Sequence, residues 1–165
     1  MTITAPEMTE SDHADNPTIT VRSVDQPDNS IILPQAFAIA VPDTAEADNV
    51  ISIAAPQATM IARHASGRPW LMVRMPQAYV TASTAPGTRI VAVGTCSASV
   101  EDLNRIARRG ASLSETAAEV MRFDGSFTVY ALRDTTILAC GPAMQTHRVF
   151  HARIFGTTIV SDRAD

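Results

Sequence analysis

The sequence predicts an α+β fold, and three observations predict it. Short β-branched runs recur along residues 31–161, turn signals separate most of them, and two helical patterns sit together between strands. No strand–helix–strand alternation runs through the chain, so the strands are expected to pair antiparallel rather than as a doubly wound parallel sheet. The 165 residues suffice for one domain with a substantial core, and 45% hydrophobic against 18% charged residues excludes a wholly disordered chain.

Residues 1–29 are rich in Thr, Asp, Glu, Pro and Asn without apolar period and read as a disordered acidic extension; residues 30–165 form the domain. Ile31-Ile32-Leu33 is a short strand stopped by Pro34. The Ala-rich stretch Ala36–Ala47 suggests a helix broken at Pro42, Val50–Ile53 a second strand, and Met60–His64 a third. Ser66-Gly67-Arg68-Pro69 turns the chain into Trp70–Met75, apolar on both faces as a central strand is. Tyr79–Ala82, the Pro86-Gly87 turn and Thr88–Gly94 form a hairpin. Ser99 caps a helix with Glu101 and Asp102 in its first turn, Arg108 and Arg109 at its end and Gly110 as its stop. Ser112 or Ser114 caps a second helix through Met121. Then Gly125–Leu132, Thr136–Cys140, Arg148–Arg153 and Thr158–Ser161 read as an antiparallel meander, with Phe127, Val129 and Ala131 on its one buried face.

The net charge of −4 hides an asymmetry: residues 1–50 hold nine acids against Arg22 alone, whereas 51–165 hold eight acids and twelve arginines. There is no lysine, so no Schiff-base amine or phosphate-loop cation. The only basic cluster, Arg105–Arg109, is too slight for a nucleic-acid partner. No apolar run reaches the roughly 18 residues of a membrane span, and the acidic start lacks a secretory signal's pattern. A cytoplasmic protein with no membrane partner is the expectation.

Candidate site residues are few. His64 precedes a turn and reads as a surface residue, and His13 lies in the acidic extension. His147 and His151 share one face of a strand but stand roughly 13 Å apart, too far to hold one ion with Asp162. They read as solvated or partner-facing side chains. Cys96, between a strand end and a helix start, reads as a small buried residue, with a helix-stabilised thiolate as the sharper alternative; Cys140 reads as core. Phosphate-loop, nucleophile-elbow, zincin and paired C-x-x-C motifs are all missing from the sequence.

Phe123–Ala131, Arg148-Val149-Phe150-His151-Ala152-Arg153 and Thr158–Asp165, in that order, resemble the end of the N-terminal glutaminase-like domain of asparagine synthase-type amide ligases. Ile31–Pro34 and Gly67-Arg68-Pro69-Trp70-Leu71 resemble one branch, the lasso-peptide cyclases that close an isopeptide ring. The resemblance spans residues 31–165. It implies two stacked antiparallel sheets flanked by helices, the α/β/β/α sandwich of N-terminal-nucleophile hydrolases. It also implies a division of labour: this domain hydrolyses glutamine through a cysteine following the initiator Met, and a second half, using ATP and magnesium, activates a carboxylate.

Here position 2 is Thr2, some thirty residues ahead of the first strand, and no Asn-Gly oxyanion signature occurs. The Ser-Gly-Gly-x-Asp-Ser loop for ATP is absent too. The expectation is a catalytically silent domain, without cofactor of its own, that packs on a separate or missing synthetase half. It would help hold a precursor peptide, with His147, Arg148 and His151 at the interface. Two alternatives stand beside it: an N-terminal-nucleophile glutamine hydrolase using Thr2, and a free-standing module that binds a precursor peptide.

Overall fold

The computed structural model describes residues 36–109, 111–142 and 148–162. Among these residues nine antiparallel strands form two sheets. One contains β1 (Phe37–Ala40), β2 (Thr59–Arg63), β3 (Pro69–Arg74), β8 (Phe150–Ile154) and β9 (Thr157–Ser161), in the order β2-β3-β1-β9-β8. The other contains β4 (Val80–Ala82), β5 (Arg89–Cys96), β6 (Gly125–Arg133) and β7 (Thr136–Cys140), in sequence order. Helix α1 (Ala47–Ala54) follows β1, and α2 (Val100–Arg108) and α3 (Leu113–Val120) lie between β5 and β6.

Three apolar clusters stack these elements in four layers. Phe37, Ile39, Val41, Met72 and Ile159 meet Ala47, Val50 and Ala54 of α1 on one side of the five-stranded sheet. On its other side Ala38, Ala40, Leu71 and Val73 meet Val91, Val93, Tyr130 and Leu132 of the second sheet. Ile90, Ala92, Phe127 and Val129, alternate residues of β5 and β6, then meet Leu103, Ile106, Ala117 and Val120 of α2 and α3. The order is helix, sheet, sheet, helix pair.

Four expectations are corrected. The segment from Ala36 is strand β1, not a helix: its large-small alternation serves two faces at once, and pairing with β3 and β9 overrides alanine's helical preference. Val50–Ile53 lies inside α1, because Ala47, Val50 and Ala54 recur at helical spacing on the buried side. The C-terminal strands do not form one meander, since β6–β7 and β8–β9 belong to different sheets. Nor is β6 buried on one face only, for Phe127 to Leu132 are buried without a break. The strand expected at Ile31–Leu33 and the stop at Gly110 lie outside the described residues.

Two glycines bring β5 and β6 unusually close. Gly94 (φ +124°) faces Phe127, and a Cβ there would crowd Ser126 O and come within 2.8 Å of Phe127 Cα. Gly125 (φ +137°) faces Cys96, and its Cβ would meet Thr95 O and lie 2.9 Å from Thr95 C. Backbone thus touches backbone where any side chain would part the strands. Just beyond, Ser97 N donates to Asp124 O (2.9 Å) and Asp124 N to Ser97 Oγ (3.0 Å), tying both ends of the helical insertion together.

Both inserted helices begin with reciprocal capping boxes, Ser99 with Asp102 and Ser112 with Glu115. The serine hydroxyls, then the backbone amides, hold the Asp102 and Glu115 carboxyls below their ordinary range. Because the folded values are depressed, the caps contribute fully above the ordinary carboxylate range and are lost as pH falls through the lowered values.

Two outcomes follow. Gly125→Ala should lower unfolding stability by about 2 kcal/mol or more in urea denaturation, from left-handed strain plus the backbone clash. Helical circular dichroism should decline below about pH 4, with a shallower decline in a Ser99→Ala/Ser112→Ala variant that has no cap to lose.

Candidate functional site

Three regions of the surface carry enough chemistry to weigh against one another. The first surrounds the β2–β3 turn. Ser66 Oγ donates to Asp43 Oδ1 (2.7 Å), and Arg68 reaches Asp43 (3.4 Å) and Asp48 (3.5 Å). The Ser66 hydrogen bond, with lesser help from His64 and Arg68, holds the Asp43 carboxyl below its ordinary range. His64 is only 3% exposed, which corrects the surface reading. Its Nε2 lies 2.9 Å from Val41 O, so that nitrogen carries the proton and donates. The ring is therefore turned to the β1 end, not to Ser66, whose hydroxyl is spent on Asp43. Serine, histidine and aspartate do not form a relay here; they fasten the β2–β3 hairpin to the chain leaving β1.

The second is an open hollow of about 450 Å³ beside the Pro86-Gly87-Thr88 turn, Arg108 and Arg133. Arg133 is committed: Nε and Nη2 donate to Thr88 Oγ1 at 2.8 and 2.6 Å, and Nη2 also to Ala111 O. It locks the β5 and β6 ends to the α2–α3 connection. Burial pushes the Cys96 thiol up despite the Ala98 amide, and burial alone does so at Cys140, a direction opposite to the one a stabilised thiolate at Cys96 requires. Among the described residues no group of three or more His, Cys, Asp or Glu could hold a metal ion, and no helix is long and apolar enough to cross a membrane.

The third region is β8. Among the described residues it is the outer strand of its sheet, paired to β9 alone, and residues 151–156 are exposed throughout. The Phe155-Gly156 turn links β8 to β9, with φ +51° and +81°. Positive φ at both central residues marks a type I′ hairpin, a left-handed position that a phenylalanine occupies at a cost. The turn's Ile154–Thr157 pair exchanges ladder hydrogen bonds, so by alternation Ala152 and Phe150 also bond to β9. The backbone N–H and C=O of His151 and Arg153 consequently point to the open edge.

The two faces of β8 differ. His151 opposes Val160, which packs between the sheets, so His151 and Arg153 lie on that side, beyond its covered part. Ala152 opposes Ile159, so Phe150, Ala152 and Ile154 lie toward α1. There a small apolar groove of about 50 Å³ opens between Ile39, Val50, Ile53, Ile154, Phe155 and Ile159. Phe155 is 52% exposed and Ile154 36%. Arg148, just before the strand, is exposed as well.

Of the sequence-predicted interface residues, His151 therefore stands on the outer strand and Arg148 just before it. His147 and Thr2 lie outside the described residues. The groove and the strained Phe155 were not singled out in the sequence. A Phe-Gly dipeptide between two strand runs is a turn signal, but only the packing of α1 reveals what the ring stands beside.

Replacing Phe155 by Asn, which tolerates positive φ, should leave stability unchanged or raise it by up to about 1 kcal/mol, read from the urea midpoint. A clear loss would mean the ring packs more firmly than its exposure implies. Comparison with protein-family models, with curated proteins and with solved structures found no match to this chain.

Proposed function

We propose that this chain is the non-catalytic glutaminase-like domain of an asparagine synthase-type, ATP-dependent amide ligase that closes the isopeptide ring of a lasso peptide. In this reading it has the sandwich of N-terminal-nucleophile hydrolases without their nucleophile. The carboxylate of an Asp or Glu side chain is adenylated by ATP in a separate synthetase half, with release of pyrophosphate, and the peptide's N-terminal amine attacks the acyl-adenylate and displaces AMP. The present domain packs on that half and helps hold the peptide, with Arg148 and His151 at the contact.

The observation that carries the reading is the agreement between the resembling segments and the four-layer order of helix, sheet, sheet and helix pair. The silent character is supported by the first described strand, which opens on Phe37 and contains no Cys, Ser or Thr. The upward-shifted thiols of Cys96 and Cys140 support it too.

The test mixes the chain with a separately expressed synthetase half and follows mass by light scattering, together with a glutaminase assay of the wild type and Thr2→Ala. A complex, with no glutamine turnover above background, is the expected result. Absence of association, or turnover that Thr2→Ala abolishes, would overturn the proposal.

A further inference from the structure

The open edge of β8 is chemically lopsided. One side presents His151 and Arg153, with Arg148 just upstream, and residues 148–154 contain no acid. The other presents Phe150, Ala152 and Ile154 and runs into the groove beside Phe155. We infer that β8 accepts, as one more strand of its sheet, an extended peptide in which acidic side chains alternate with apolar ones. The inference rests on the reading that this surface holds the peptide substrate, and it names the chemistry of the held segment.

Each part of that description has its own cause. The outward N–H and C=O groups of His151 and Arg153 are an unfilled ladder rung that an extended backbone completes. Because side chains two apart share a face, one set of the added strand's side chains meets the imidazole and guanidinium while the other meets Ile154 and Phe155. Acids on the first set are paired across the strands; a second copy of β8 would set cation against cation, which is unfavourable. Arg153 Nε donates to Gly156 O (3.2 Å), which keeps the guanidinium beside the edge. The area also selects the occupant. A five-residue strand covers far less than the ~1,600 Å² of a standard stable interface, which suits a flexible peptide held briefly rather than a folded partner.

The experiment titrates two fluorescent, end-blocked hexapeptides, one alternating Glu and Val and the other Lys and Val, into the full chain and reads anisotropy. The Glu peptide should bind, with affinity falling as salt is raised, and the Lys peptide should not. His151→Glu/Arg153→Glu should weaken the Glu peptide by about tenfold or more, from the lost Arg153 charge pair and two added like charges. His151→Pro removes an outward N–H without breaking a bond to β9, so it should bind more weakly than His151→Ala, which lacks the same imidazole; that difference separates strand pairing from charge attraction alone. Circular dichroism on these variants confirms that the sheet is retained. Equal binding of the two peptides, indifference to the charge reversal, or equal binding by His151→Pro and His151→Ala would overturn the inference. If the peptide fails while the synthetase half still associates, the inference falls and the functional reading stands; peptide binding without that association does the reverse. A synthetase half that displaces bound peptide and loses affinity with His151→Glu/Arg153→Glu would assign the edge to that half and overturn the inference.

Discussion

The two sheets meet across a layer in which the central strand of the larger sheet contributes only small residues. β1 offers Ala38 and Ala40, methyl groups only, and into the space they leave come Tyr130, Val91 and Val93 from the other sheet. Packed sheets stand about 10 Å apart, so bulky side chains at positions 38 and 40 would compete with Tyr130 for the same space. The alanines let Tyr130 lie fully buried, its hydroxyl donating to Ala38 O at 3.4 Å. Burial, and then the nearby Asp162 charge, keep that phenol well above its ordinary range and hence protonated as a donor. Asp162 in turn accepts from Ala38 N (2.8 Å), so the peptide groups flanking one alanine join both sheets and the end of β9. Once the central strands are committed on that side, their opposite apolar faces require cover. That requirement places α1 on one sheet and the α2–α3 pair on the other.

How much of this was legible in the sequence depended on whether local pattern and tertiary demand agreed. They agreed at Trp70–Met75, whose unbroken apolar run marks a strand buried on both faces, and at Ser99 and Ser112, where the cap and the acid three residues on define a helix start. They disagreed at Phe37–Ala40 and Val50–Ile53. Alanines there read as helical and β-branched residues as extended, while the packing requires the opposite in each case. Sheet membership was beyond local reach. β7 and β8 are near in sequence, yet only the distribution of buried faces over the whole domain separates them.

The candidate site was half visible. Arg148 and His151 stood out as polar residues; the structure puts His151 on a strand that is outermost among the described residues and Arg148 just before it. His64 was misplaced because a histidine before a turn carries no sequence mark of burial. Its ring is held by Val41 O, a contact made by the chain's fold and not by its neighbours in sequence. The groove beside Phe155 depends on α1, which the sequence had placed in an extended segment. A helix misassigned early in the sequence thus concealed the apolar half of a surface that residues late in the sequence complete.

The stitch at Ser97 and Asp124 makes the helix pair a closed excursion from an otherwise continuous β5–β6 ladder. Its two feet stand side by side, fixed by glycine-enabled backbone contact. The ladder's register is set from Arg89–Leu132 to Cys96–Gly125 without reference to what lies between. Residues 97–124 can therefore be regarded as a cassette: related chains are free to lengthen, shorten or restyle this outer covering while the strands beneath stay aligned. Variation concentrated there would remodel one flank of the domain and leave the remote β8 edge as it is.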